Sequence, residues 1–97
     1  MKELQENFEG TGEVKGKSFK QLLRSKEAYL YECTGKNFNT HYEVFLRREN
    51  DRFNVVSYPK SNSFGKWAWT YSDFNKAKEK FNDINQTAKE PDNSSDA

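Results

Sequence analysis

Residues 66–84 read KWAWTYSDFNKAKEKFNDI, and a change of period inside this stretch decides the fold. Trp67, Trp69 and Tyr71 alternate with Ala68 and Thr70, which is the period of a strand. From there on Phe74, Ala77, Phe81 and Ile84 recur at helical spacing, which predicts a three-turn amphipathic helix. Ser72 reads as its N-cap, with Asp73 in the first turn favourable to the helix dipole. Lys76, Lys78, Glu79, Lys80 and Asp83 occupy the rest of its surface. A helix must bury its apolar stripe, and the simplest way is to lie across one face of a sheet.

Upstream the period stays close to two. Residues 13–25 are a soft first strand anchored by Val14, Phe19, Leu22 and Leu23. In 28–33, Tyr29, Tyr31 and Cys33 face one way and Ala28, Leu30 and Glu32 the other. TGKNFNT, residues 34–40, is turn chemistry, with Gly35 and Asn37 able to take positive φ. In 41–49, Tyr42, Val44 and Leu46 oppose His41, Glu43, Phe45 and Arg47; residues 49–52 connect to a return strand at 53–58. Pro59 ends that strand because it offers no N–H to a ladder. The fold class is therefore α+β, a four- to five-stranded antiparallel sheet followed by one C-terminal helix packed on one face.

The ends read differently. Residues 1–12, MKELQENFEGTG, are expected to be a flexible arm, 13–85 the single domain, and 86–97, QTAKEPDNSSDA, a disordered tail. The low hydrophobic and high charged fractions lean towards disorder. Eight Phe, five Tyr and two Trp, mostly between Phe19 and Phe81, give the middle of the chain its core.

Charge sets limits on function. Residues 13–60 carry ten Lys/Arg against six Asp/Glu, between two net-acidic ends, and the whole chain is +1. This mild polarity is far from the pI above about 9 of a committed nucleic-acid binder, and a solvated mixed-charge surface accounts for it. One cysteine, Cys33, is expected to exclude an internal disulfide and a thiolate zinc site. No charged leader with an apolar segment and no apolar run near about eighteen residues is present, so a reducing cytoplasm is expected.

Enzyme signatures are absent: no nucleophile elbow, phosphate loop, H-E-x-x-H or dinucleotide fingerprint. The one histidine, His41, would need a partner, and strand pairing across the 34–40 turn would bring it near Cys33. A buried thiol and an exposed strand-end imidazole are the plainer reading. Glu32 and Glu43 on neighbouring strands would permit a paired-acid site, against the commoner Glu facing Lys or Arg across a ladder. No catalytic residue, metal or cofactor is expected.

Two constellations remain. Trp67, Trp69 and Tyr71, joined by Tyr29, Tyr31 and Tyr58, are either core beneath the helix or a stacking platform for bases, worth roughly 1–3 kcal/mol per base. Rings fall on both faces of the sheet, more than one helix can cover, which points to dimerisation or a ligand as a second packing event. Basic residues lie close by in sequence: Arg47, Arg48 and Arg52 around one hairpin, Lys60 and Lys66 bracketing KSNSFGK. That loop either offers N–H and hydroxyl groups to a phosphate or is held by Phe64 tucking into the core.

The motifs Y-E-V-F, V-S-Y-P, F-G-K-W-A-W-T and A-x-x-x-F, across the central half of the chain, resemble small uncharacterised proteins of phages and mobile elements of Bacteroidetes-type bacteria. That group has no established activity, so the resemblance implies an origin and a bacterial host cytoplasm, and no site. Several strands followed by one helix is also similar to single-strand-binding modules of the purine-rich-element type. The WGR domain likewise ends in a strand and a short helix, but this chain lacks its triplet; fold does not fix function.

The function expected is a small non-enzymatic binding module for nucleic acid, single strands preferred. Trp67, Trp69 and Tyr58 would stack bases, and Arg47, Arg48, Arg52, Lys60 and Lys66 would contact phosphates. The alternative is a phage- or mobile-element-encoded factor that binds and modulates a host enzyme or defence complex. Partners are thus nucleic acid or a host protein, no membrane, with a homodimer open.

Overall fold

The computed structural model describes residues 2–12, 15–36 and 38–89. Val14 and Asn37, named above, and residues 90–97 of the expected tail lie outside them. The element order is β1 (Asn7–Glu9), β2 (Lys17–Arg24), β3 (Ala28–Gly35), β4 (Phe38–Leu46), β5 (Arg48–Asn50), β6 (Val55–Ser57), a 3-10 turn (Ser61–Ser63), β7 (Ala68–Tyr71) and α1 (Phe74–Lys89). Five strands form an antiparallel sheet in the order β1-β2-β3-β4-β7, and β5 and β6 form a separate hairpin sheet. This is the α+β architecture predicted, with α1 laid against β3, β4 and β7.

Alternation fixes the two faces. Ala28, Leu30 and Val44 are buried against Ala77 and Phe81 of α1, with Tyr42, Tyr71, Phe74 and Ile84 around them. Phe19, Tyr29, Tyr31, Cys33, Phe45 and Ala68 are buried on the opposite face. The softness of the first strand has a physical cause. A bulge between Gln21 and Leu23 inserts one residue into β2, so Leu22 and Leu23 both reach the helix face.

The second face corrects the reading of surplus rings. It needs no partner, because the chain folds back over it: Leu4 and Phe8 from the N-terminal segment, and Val56, Tyr58, Phe64 and Trp67 from the 55–67 excursion, pack on its aromatic layer. Phe8 stacks on Phe19 at 4.7 Å, while Tyr58 meets Phe8, Phe19 and Phe45 edge-on. Rings bury about 150–250 Å² each, and this mutual cover is what the low apolar fraction left to the aromatics.

The segment expected as a flexible arm therefore belongs to the core. Residues 7–9 are an edge strand on β2, and Lys2 bridges to Val55, donating from its N–H to the Asn54 carbonyl at 3.0 Å and accepting from Val56 N at 2.8 Å. Asn54 takes a positive φ of 56° in the β5–β6 turn, which asparagine tolerates. At the other end α1 continues to Lys89, past the expected boundary at 85. Its N-cap is Asp73 in place of Ser72: Asp73 Oδ1 accepts from Asn75 N at 3.4 Å, and the Asp73 carbonyl takes Ala77 N at 3.1 Å. Among the described residues no helix is long and apolar enough to cross a membrane.

Candidate functional site

The eight residues singled out for binding do not form one surface. Trp67 and Trp69 are separated by the sheet. Trp69 pairs with Val44 on the helix face and lies beneath Lys80, 4.1 Å from its ring centroid. Trp67 precedes β7, packs edge-on to Phe45 and belongs to the other face. Tyr58 points inward, and its hydroxyl donates to Glu43 Oε1. It is a core ring, unsuited to stacking a base.

Arg47 is occupied as well. Its Nε and Nη2 donate to the two carboxylate oxygens of Glu3 at 3.1 and 2.5 Å, and its Nη1 to Glu49 at 2.5 Å. Arg48 and Arg52 are placed differently. The Arg48 guanidinium lies over Trp67 at 5.1 Å, and that of Arg52 over Phe53 at 5.3 Å. Phe53 is 64% exposed at the tip of the β5–β6 hairpin. Lys66 adjoins Trp67 in an exposed turn, and Lys60 is exposed at the start of the 3-10 turn. The 60–66 loop is anchored by Phe64 and the buried Ser63.

A second cluster lies on the aromatic face, where the sequence pointed only in part. Cys33 pairs with His41 across β3–β4, and Tyr31 with Glu43. His41, Glu43 and Phe45 alternate onto one side, so thiol, imidazole and carboxyl line up beside the aromatic layer. Glu43 is only 5% exposed; Tyr58 donates to one of its oxygens and His41 Nε2 stands 3.4 Å from the other. Glu32 is opposite Tyr42 on the other face, so the paired-acid arrangement with Glu43 does not form.

Electrostatics follow the burial. Burial first, then the adjacent Glu43 charge, pushes the Tyr58 hydroxyl well above its ordinary value, and the same two causes raise the Cys33 thiol. Both are protonated at neutral pH, so neither is a ready nucleophile. The cluster opens into a cavity of about 420 Å³ lined by Lys17, His41, Glu43, Tyr58, Ser61 and Thr70, among others. The signal for the buried acid was a Glu sharing a strand face with Phe45. Period two supplied that face, but not the chain that would cover it.

No family model, no curated protein and no solved structure matches this chain.

Proposed function

We propose that the protein is a non-enzymatic binding module for single-stranded nucleic acid, working through its β5–β6 hairpin and the adjoining Trp67 turn. One observation supports this above the rest: Arg48 rides on Trp67 while Arg52 rides on the exposed Phe53 of the same hairpin. A guanidinium on a ring presents charge to phosphate and a flat surface to a base within one unit. Lys66 and Lys60 extend the basic character along the chain. The site is smaller than the sequence suggested, without Tyr58, Arg47 and Trp69.

Titration of Trp fluorescence with single-stranded and duplex oligonucleotides, at several salt concentrations, tests it. Four phosphate contacts give a slope of log affinity against log salt of roughly −3 on single strands, at about 0.7 per contact. Arg48→Ala is expected to lower both affinity and slope. Unchanged fluorescence with every oligonucleotide at low salt would sink the proposal.

The exposed Phe53 also favours a second reading, a phage- or mobile-element-encoded factor that docks a host protein through the hairpin tip. Loss of a defined host complex on Phe53→Ala, with oligonucleotides not bound at all, is the outcome that selects it.

A further inference from the structure

The chain has one cysteine and one histidine, and folding sets them directly opposite each other on β3 and β4. Glu43, two residues along β4 from His41, is the buried carboxylate of the same face. The Cys33 sulfur, an imidazole nitrogen of His41 and a carboxylate oxygen of Glu43 all lie within 4.8 Å of one another. We propose that these three side chains form a site for a divalent cation of the zinc type, with Cys33 Sγ, His41 Nε2 and a Glu43 oxygen as its protein ligands.

The spacing fits that coordination. Nitrogen and oxygen ligands at about 2.0–2.2 Å from zinc, at a tetrahedral angle, stand roughly 3.4 Å apart. His41 Nε2 and Glu43 Oε2 are separated by 3.4 Å. A set of one sulfur, one nitrogen and one oxygen suits zinc and not magnesium or calcium, which take oxygen ligands. A single cysteine was expected to rule out any thiolate zinc site, and the placement of His41 and Glu43 beside Cys33 revises that expectation. A mixed site needs only one cysteine.

Groups behind the ligands are also in place. His41 Nδ1 lies 3.4 Å from the Asn39 carbonyl, where an N–H on Nδ1 donates and leaves the Nε2 lone pair for a metal. The Tyr58 hydroxyl holds the other Glu43 oxygen and so fixes the carboxylate. Binding breaks the Cys33 S–H bond, forms a sulfur–metal bond and sends the proton to solvent. Thiolate and carboxylate then balance the two positive charges of the bound cation. Three protein ligands leave the fourth position to water, on the side of the cavity lined by Lys17, Ser61 and Thr70.

The test is equilibrium dialysis of the full chain against Zn²⁺ with metal analysis, and the absorption spectrum of the Co²⁺-loaded protein. One equivalent of zinc is expected, with a sulfur-to-cobalt charge-transfer band that disappears in Cys33→Ser. His41→Ala should lower zinc affinity at least about 100-fold, since even groups behind a ligand cost 10–100-fold when removed. The His41 side chain is 19% exposed where Cys33 is fully buried, so this variant keeps the test decisive if Cys33→Ser fails to fold; circular dichroism checks both. No zinc retained, zinc binding unchanged by His41→Ala, or cobalt bound without the thiolate band would each overturn the proposal.

Discussion

Arg47 holds Glu3 in a two-pronged ion pair, Nε to Oε1 at 3.1 Å and Nη2 to Oε2 at 2.5 Å, and so ties the N-terminal segment to the end of β4. The Tyr29 hydroxyl donates to the same carboxylate. Phe8 and Leu4 can cover the aromatic face only while this segment stays down, so the pair supports the second core layer from its edge.

That relationship has a pH signature. The Arg47 guanidinium first, and the Tyr29 hydroxyl second, lower the Glu3 carboxyl from 4.5 to about 2. A depressed folded pKa means the stabilisation is fully present above 4.5 and is lost as pH falls towards about 2. Glu3 is 35% and Arg47 18% exposed, so solvent screening limits the pair to about 1 kcal/mol. Urea midpoints are expected to be lower for Glu3→Gln than for the parent near neutrality, and to converge with it near the acid end. A difference that persists unchanged at about pH 2 would contradict this.

Tyr58→Phe removes the donor to a carboxylate that is 5% exposed and leaves the ring in place. The expected cost is about 1–3 kcal/mol, that of leaving a buried polar group short of a partner. Chemical denaturation measures it, and the native near-ultraviolet dichroism should persist because the Phe8, Phe19 and Phe45 contacts are kept.

Trp67→Ala and Trp69→Ala should part company. Trp67 carries Arg48, whereas Trp69 lies on the helix face under Lys80. Oligonucleotide affinity is therefore expected to fall in Trp67→Ala alone, by about 1–3 kcal/mol for one lost stacked base. Trp69→Ala should lower thermal stability and leave affinity alone. Equal losses of affinity would show that the two rings do not act as separate sites.

The helix start gives a sharper check of local structure. Asp73→Ala should cost about 0.5–2 kcal/mol, since its carboxylate caps Asn75 N. Ser72→Ala should be close to neutral, because Ser72 is exposed and lies one residue before the cap. Thermal unfolding of the two variants side by side distinguishes them.

The parts of this fold whose physics is local were legible in the amino-acid order. Period two separated Tyr29, Tyr31 and Cys33 from Leu30 within 28–33, and Phe45 from Val44 within 41–47, because side chains along a strand alternate whatever lies above them; the pairing register then joined the two strands' faces. The 3.6-residue recurrence of Phe74, Ala77, Phe81 and Ile84 located the helix and its apolar stripe, but not the sheet face beneath it: Tyr29, Tyr31, Tyr58 and Trp67, grouped in the sequence as core under the helix, lie on the opposite face. What lies on the second face emerges only on folding. The cover comes from residues distant in the chain, Phe8 and Tyr58, and no local period encodes such a return. Folding also decided the charges, for Arg47 reads as free until Glu3 comes round to meet it. The Cys33–His41–Glu43 cluster shows the division plainly. Pairing across the turn was expected to bring Cys33 near His41, but whether Glu43 sits in water or beneath Tyr58 depends on a segment that must first fold over it.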